Sequence, residues 1–345
     1  MLGGGVFVSQ NKTLPGSYIN FVSLATTTSA LGERGTVAIA LPLNKAVGTV
    51  IELTRADFVA NSQELIGVAY NSDEAAPLRE IFCHATKVYV YDLGEDGIVS
   101  DVIAAFEPYE FNVLCAYSDV AEDVAAYITA VKSWRDDMGK KCQVVVYNQE
   151  KPNHEGVINV VSTVSDDGAP AYALIAWVAG AEAGCKINES CTNKLYDGEY
   201  TVVTNKTQSQ LEDCIENGQI AFHLVYGNVR LLEDINSLTE TTDEKGEDFK
   251  SNQTIRVIDQ IANDIAKLFN TKYLGKIPNN ASGRVSLWAD IVAHHKQLEA
   301  MQAIEAFDSS LLKVEQGATK KSIVVNDVVT VINSMAQLYM TVVVQ

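Results

Sequence analysis

Lys87-Val88-Tyr89-Val90-Tyr91 opens the stretch whose reading decides the fold. After Gly97 the pattern turns helical to about Phe106, and Phe111 to Tyr117 reads as a second strand. Ser118-Asp119 then caps a long amphipathic helix with Val120, Val124, Tyr127, Ile128, Val131 and Trp134 at helical spacing. Cys142-Gln143-Val144-Val145-Val146-Tyr147 is a third strand. Val157 to Val161, Tyr200 to Thr204 and Ile220 to Tyr226 extend the series, with helices near Tyr172 to Gly184 and Gln208 to Glu216 between them. Strands alternating with helices predict a mostly parallel sheet covered on both faces.

Outward from this core, residues 25–86 hold short strands such as Gly35-Thr36-Val37-Ala38-Ile39-Ala40 and a helix near Asp73 to Cys83. Residues 237–253 are polar and acidic and read as a mobile linker. Beyond it come helices over Thr254 to Tyr273 and roughly Ser286 to Ala306, parted by the Pro278-Asn279-Asn280 turn. The β-rich pieces Leu311 to Val314, Ile323 to Ile332 and a terminal strand follow, with Gly227-Asn228 a tight turn earlier in the chain. The expected class is α/β, α+β overall. A small N-terminal β-containing domain (25–86), an α/β middle domain (87–238) and a C-terminal α+β domain (239–335) lie between terminal arms at 1–24 and 336–345.

Both ends are short apolar strands with nothing of their own to pair with. Gly3-Gly4-Gly5 leads into Val6-Phe7-Val8, the Leu14-Pro15-Gly16 turn precedes the alternating Tyr18 to Val22 that contains Phe21, and Leu338-Tyr339-Met340-Thr341-Val342-Val343-Val344 closes the chain. Unpaired β-rich ends are an aggregation hazard unless they join a sheet edge. Pairing with an edge in a neighbouring copy is the expected remedy, and it points to an assembly protein.

The 345 residues are 47% hydrophobic and 20% charged, which describes a globular chain of two or three domains. A net charge of −18 argues against nucleic acid and anionic membranes as partners. The longest apolar stretch, Ala169 to Gly184, is too short and broken to span a bilayer, and no secretory signal opens the chain. Six scattered cysteines suit a reducing cytoplasm, and the Cys185 to Cys191 spacing fits no zinc knuckle.

Asp92-Leu93-Gly94-Glu95-Asp96 follows the first strand of the alternating region, where open α/β sheets bind ligands. Its carboxylates could hold Mg²⁺ in a soluble enzyme, or form a solvated acidic turn. No Gly-rich phosphate loop, nucleophile elbow or assembled triad is present, and nothing calls for a cofactor. His223 reads as a structural strand residue. His294 and His295, adjacent on a helix and pointing about 100° apart, read as a surface or interface pair. Tyr127, Trp134, Trp177 and Trp288 read as core.

Several blocks, in order, resemble the tail sheath proteins of contractile phage tails and phage-tail-like bacteriocins, in their short Gram-positive form. They are Leu14-Pro15-Gly16-Ser17-Tyr18-Ile19-Asn20-Phe21, Glu33-Arg34-Gly35, Ala176 to Gly184 with Asn188 to Asn193, and Asp234 to Thr239. Arg256, Asp259 and Asp264, then Tyr273 to Asn280 and the closing strand, complete the match. The resemblance implies a middle domain subtilisin-like in fold without protease activity. It implies hexameric rings stacked around a tail tube, knitted by strand-exchanging arms (Val6, Phe7, Val8, Tyr18, Phe21, Leu338, Tyr339, Met340, Val342, Val343 and Val344). Contraction would drive the tube through a cell envelope without nucleotide. The implied partners are the tube, baseplate and terminator proteins, in a virion tail or phage-tail-like particle made in a bacterial cytoplasm. The C-terminal domain would grip the tube, with Lys267, Lys272, Lys276, Arg284, Lys296, Lys320 and Lys321 as candidate contacts.

Overall fold

Thr36–Leu41 (β1) runs through the interior of a seven-stranded sheet in the computed structural model, which describes residues 31–344. The other strands are β2 (Val50–Thr54), β3 (Lys87–Asp92), β4 (Val113–Cys115), β5 (Gln143–Tyr147), β6 (Val157–Val160) and β7 (Gln219–Ile220). Their order is β2-β3-β1-β4-β5-β6-β7, all parallel except the antiparallel β2–β3 pair. The connecting helices are α1 (Arg55–Ile66), α2 (Ala76–Phe82), α3 (Val99–Phe106), α4 (Ala121–Asp136), α5 (Leu174–Gly184) and α6 (Gln208–Glu216).

Alternation along the strands builds two cores. Val37, Ile39, Val88 and Val90 join Phe58 of α1, Leu78 and Ile81 of α2 and Trp177 of α5 on one face. Ala38, Ala40, Tyr89 and Tyr91 meet Val102 and Phe106 of α3 and Val124, Tyr127, Val131 and Trp134 of α4 on the other. Helix α5 is buried from Leu174 to Ala183, so it has no solvent stripe to mark it in sequence. It lies tight on α2: a Cβ at Gly180 would sit 2.3 Å from the Ile81 carbonyl oxygen.

Several boundaries differ from the sequence reading. The 25–86 stretch is no separate domain, because β1 hydrogen-bonds to β3 on one side and β4 on the other. Ser118 does not cap α4 directly: its hydroxyl accepts the Val120 N–H at 3.1 Å, and Val120 is the cap position without a side-chain bond. Tyr200 to Thr204 forms only a single antiparallel bridge, Val202 to Val164. Ile220 to Tyr226 divides, ending the sheet at β7 and starting a hairpin of β8 (Phe222–Val225) and β9 (Asn228–Leu231). Tyr226 and Gly227 both take positive φ, 49° and 83°, as a tight two-residue turn requires. The 237–253 linker is anchored at its start, where Ser237 and Leu238 are buried, and again where Lys245 Nζ meets Glu155 Oε1 at 2.8 Å.

A third core packs α7 (Asn252–Leu268) and α8 (Ala281–Ala300) under a second hairpin, β10 (Lys313–Gln316) with β11 (Ile323–Asn326). Helix α8 starts earlier than expected because the Asn280 side chain accepts the Gly283 N–H at 2.8 Å. The expected strand from Ile323 to Ile332 stops at Asn326, and Leu338 to Val344 has no strand partner among the described residues.

Candidate assembly surfaces and a buried polar joint

After β11 the chain forms a strap over 327–334. The Glu305 N–H donates to the Thr330 carbonyl at 2.8 Å, Ile332 N–H to Ala303 at 3.0 Å, and Ser334 N–H to Gln253 Oε1 at 2.9 Å. Beyond Ser334 the side chains turn outward: Leu338, Tyr339, Met340, Val342, Val343 and Val344 are 68–90% exposed. Six large apolar groups in seven residues is far more than scattered surface hydrophobics explain. The hairpin β10–β11 is a two-stranded sheet, so each strand keeps one unpaired edge among the described residues, and Val324 and Val325 are exposed. The other expected arm residues, Val6, Phe7, Val8, Tyr18 and Phe21, lie outside the described residues.

Of the basic candidates, Lys267, Lys272, Lys276 and Arg284 fall on the corner joining α7 to α8, and Lys296 lies about 18 Å further along α8. Lys272 Nζ is tied to Asp290 at 2.6 Å, Lys296 Nζ to Glu299 at 2.7 Å, and Arg284 Nη1 to the Asn279 side chain at 3.0 Å. Lys276 Nζ donates to the Thr271 carbonyl at 2.6 Å. Lys320 and Lys321 sit in the β10–β11 turn.

The acidic turn is structural. Asp92 is buried, and its carboxylate accepts N–H bonds from Asn44 (3.0 Å), Lys45 (2.7 Å), Ala46 (2.6 Å) and Gly94 (3.1 Å). Burial alone would raise its pKa, but the four donors hold it below the ordinary carboxylate value. Glu95 and Asp96 point into solvent, so the three carboxylates do not converge.

Sequence reasoning named Arg256 and Asp259 but gave them no role. The structure places them on the polar face of α7, which is buried against the central sheet domain. Arg256 Nη2 lies 2.7 Å from Glu182 Oε2 of α5 and 3.2 Å from Asp234 Oδ2, all three side chains about 1% exposed. Arg135 of α4 forks onto both oxygens of Asp259 at 2.6 and 2.9 Å. Gln143 of β5 donates to Asn252 at 2.9 Å. The missed signal was α7's second stripe: Asn252, Arg256, Asp259 and Asn263 recur at three- and four-residue spacing as surely as the apolar residues do.

Glu182, Cys191 and Asp234 are close enough to suggest a metal centre, and so are Asp136, His154 and Glu155. In each group a cationic side chain already occupies the position: Arg256 in the first, Lys245 in the second. Glu182 Oε1 and Asp234 Oδ1 are buried with no donor. Burial and the neighbouring Asp234 push the Glu182 carboxyl well above its usual range, against the pull of Arg256. Asp234, which burial would also raise, is held low by Arg256 and by the Cys191 N–H.

His294 and His295, read from sequence as a surface or interface pair, are instead fully buried. His223 is half-buried in β8, and Trp177 is fully buried in the core.

An α/β body keyed to its C-terminal helices by buried polar contacts, with an uncovered apolar tail, has the build of a structural assembly protein. The model for the phage tail sheath protein central domain matches residues 97–237, and that for the phage tail sheath C-terminal domain matches 244–345. The chain belongs to the phage tail sheath family. It is 27% identical over 303 residues to the tail sheath protein of Clostridium phage phiCD119, covering 85% of this chain and 81% of that one. It is 32% identical over 224 residues to the uncharacterized protein YqbK of Bacillus subtilis, covering 63% of this chain and about half, 46%, of that one. The sheath tail protein of Desulfitobacterium hafniense superposes with a TM-score of 0.80 at 25% identity, covering 94% of this chain and 99% of that chain. The anti-feeding prophage helical sheath in its contracted state shares the fold at 15% identity, with a TM-score of 0.70 over 96% of this chain and 99% of that one. The chain is thus a structural sheath protein of contractile phage tails. The reading as a cation-dependent enzyme is set aside. No helix among the described residues is long and apolar enough to cross a membrane.

Proposed function

We propose that copies of this chain polymerise into hexameric rings stacked around a tail tube, joined by exchange of their terminal segments, and that contraction of the polymer drives the tube through an envelope. The observation that carries this reading is the apolar run Leu338 to Val344 projecting uncovered beyond the strap. Residues 336–345 act as one exchange arm and residues 1–24, by their sequence pattern, as the other. The free edges of β10–β11 receive them.

Magnitudes show why several arms are needed. A strand buries about three side chains on one face, at about 1.5–3 kcal/mol each. Association costs about 4–15 kcal/mol, so a single arm gives a weak dimer. Several arms engaged in one ring act multivalently and give a stable polymer. The basic corner of Lys267, Lys272, Lys276 and Arg284 is proposed to face the tube, and the ring ends to meet baseplate and terminator proteins.

Negative-stain electron microscopy of the full chain and of a chain ending at Ser334 tests this. Rings or striated tubes are expected from the full chain, and only discrete particles with an unchanged circular dichroism spectrum from the shortened one. Tubes from both would overturn the exchange reading.

A further inference from the structure

Gly32, near the start of the described residues, and Asp327, at the start of the strap, are joined by one buried chain of hydrogen bonds. At the N-terminal side, the Gly32 N–H donates to Asp264 Oδ1 at 3.0 Å, and the Gly32 carbonyl accepts from Gln260 at 3.2 Å. There is no slack there, since a Cβ on Gly32 would lie 2.5 Å from Asp264 Oδ1. The other Asp264 oxygen meets His294 Nε2 at 3.0 Å. His294 Nδ1 faces His295 Nδ1 at 3.2 Å, and His295 Nε2 meets Asp327 Oδ2 at 2.6 Å. Asp327 opens the strap that leads to the exposed tail. Both imidazoles are fully buried.

The chemistry of the rings fixes how many protons this chain can carry. Each Nε2 faces a carboxylate and so must be an N–H. With both Nδ1 atoms bare, two lone pairs would face each other, and with both protonated, two N–H groups would collide. One hydrogen bond between them requires one proton, giving three on four nitrogens and a single positive charge on the pair. The charged and titratable groups facing the pair are Asp264 from α7 and Asp327 from the strap. Gln260 bonds Asp264, the Phe307 ring stands edge-on to His295 at 4.7 Å, and Lys296 on the same helix is turned to Glu299.

We propose that His294 and His295 share one proton across their facing Nδ1 atoms, and that this singly charged pair is a latch coupling the root of the N-terminal segment at Gly32 to the root of the C-terminal strap at Asp327. Removing the proton leaves two lone pairs opposed between two carboxylates. Because the bridge is one unit, opening at either end loosens the other. The inference concerns only the body of the chain and stands apart from whether the tail pairs with a neighbouring copy.

Hydrogen–deuterium exchange on the full chain, kept dilute and corrected for intrinsic rates, is the test. In the wild type, exchange over 31–35 and over 327–334 is expected to rise together at one common urea concentration, below that of global unfolding. In His294→Gln, which loses the Asp264 side of the chain, exchange over 327–334 should also rise, by about fivefold or more. In His295→Gln, which loses the Asp327 side, exchange over 31–35 should do the same. Midpoints that differ between the two segments, a flat profile, or substitutions that loosen only their own end would each overturn the latch. The wild-type profile decides the question even if a variant fails to fold.

Discussion

Glu80 shows what a single buried group does to the pH response of the whole body. It is 1% exposed in α2, and it accepts the Glu199 N–H at 2.6 Å and the Tyr196 hydroxyl at 2.9 Å. Burial, against these donors, pushes its pKa up to about 7. Between the ordinary carboxyl value and about 7 the folded chain therefore holds a proton that the unfolded chain lacks. Its contribution is complete below the unfolded pKa and declines as pH climbs to about 7, by on the order of 3 kcal/mol. Glu80→Gln should abolish that decline. Urea midpoints for both proteins at about pH 5 and about pH 7.5 would reveal it, with the wild type losing more than the variant. An equal loss in both would mean that Glu80 stays ionised. Nothing in Leu78-Arg79-Glu80-Ile81 marks this residue in sequence, since a lone Glu in an amphipathic helix normally faces water.

At the scale of elements, helix α5 is the most closely fitted part. Gly180 is the point at which it meets α2, and Gly180→Ala should destabilise by about 1–3 kcal/mol through a shift of one helix. Thermal unfolding would detect this; an unchanged or raised midpoint would show that the contact can relax. Period-two alternation and helical spacing were enough to read β3, β4, β5, α4 and the apolar face of α7, because each has one buried and one solvated side, or β-branched runs bounded by turns. Where the reading failed, the physics was non-local. β1 belongs to the large sheet because strands 50 or more residues away hydrogen-bond to it, which no local window contains. The Val202 segment looks like a strand but finds only one bridging partner. His294 and His295 look like a surface or interface pair until Asp264 and Asp327 arrive from other elements. The uncovered Leu338 to Val344 was legible because seven residues carry six large apolar side chains, and no fold is needed to see that they lack a cover. The basic residues proposed to face the tube are not singled out by sequence, and the structure shows only that Lys267, Lys272, Lys276 and Arg284 share the α7–α8 corner.

For the molecule as a whole, the decisive contact is the polar joint between α7 and the central sheet. Arg256→Met should cost about 3–5 kcal/mol by stranding Asp234 without its counter-charge. Adding Asp234→Asn and Glu182→Gln to that variant should recover part of the loss, because no charge then remains buried alone. Urea unfolding of the single and triple variants checks this, and a triple variant no more stable than the single one would assign the loss to packing instead. The same joint also bears on mechanics. Two apolar surfaces can creep past one another by an ångström at little cost, but a guanidinium forked onto a carboxylate fits in one register only. The C-terminal helices and the sheet are therefore keyed together like gear teeth. A pull delivered through one is carried to the other without slip, and compliance is left to the strap and the tail beyond it.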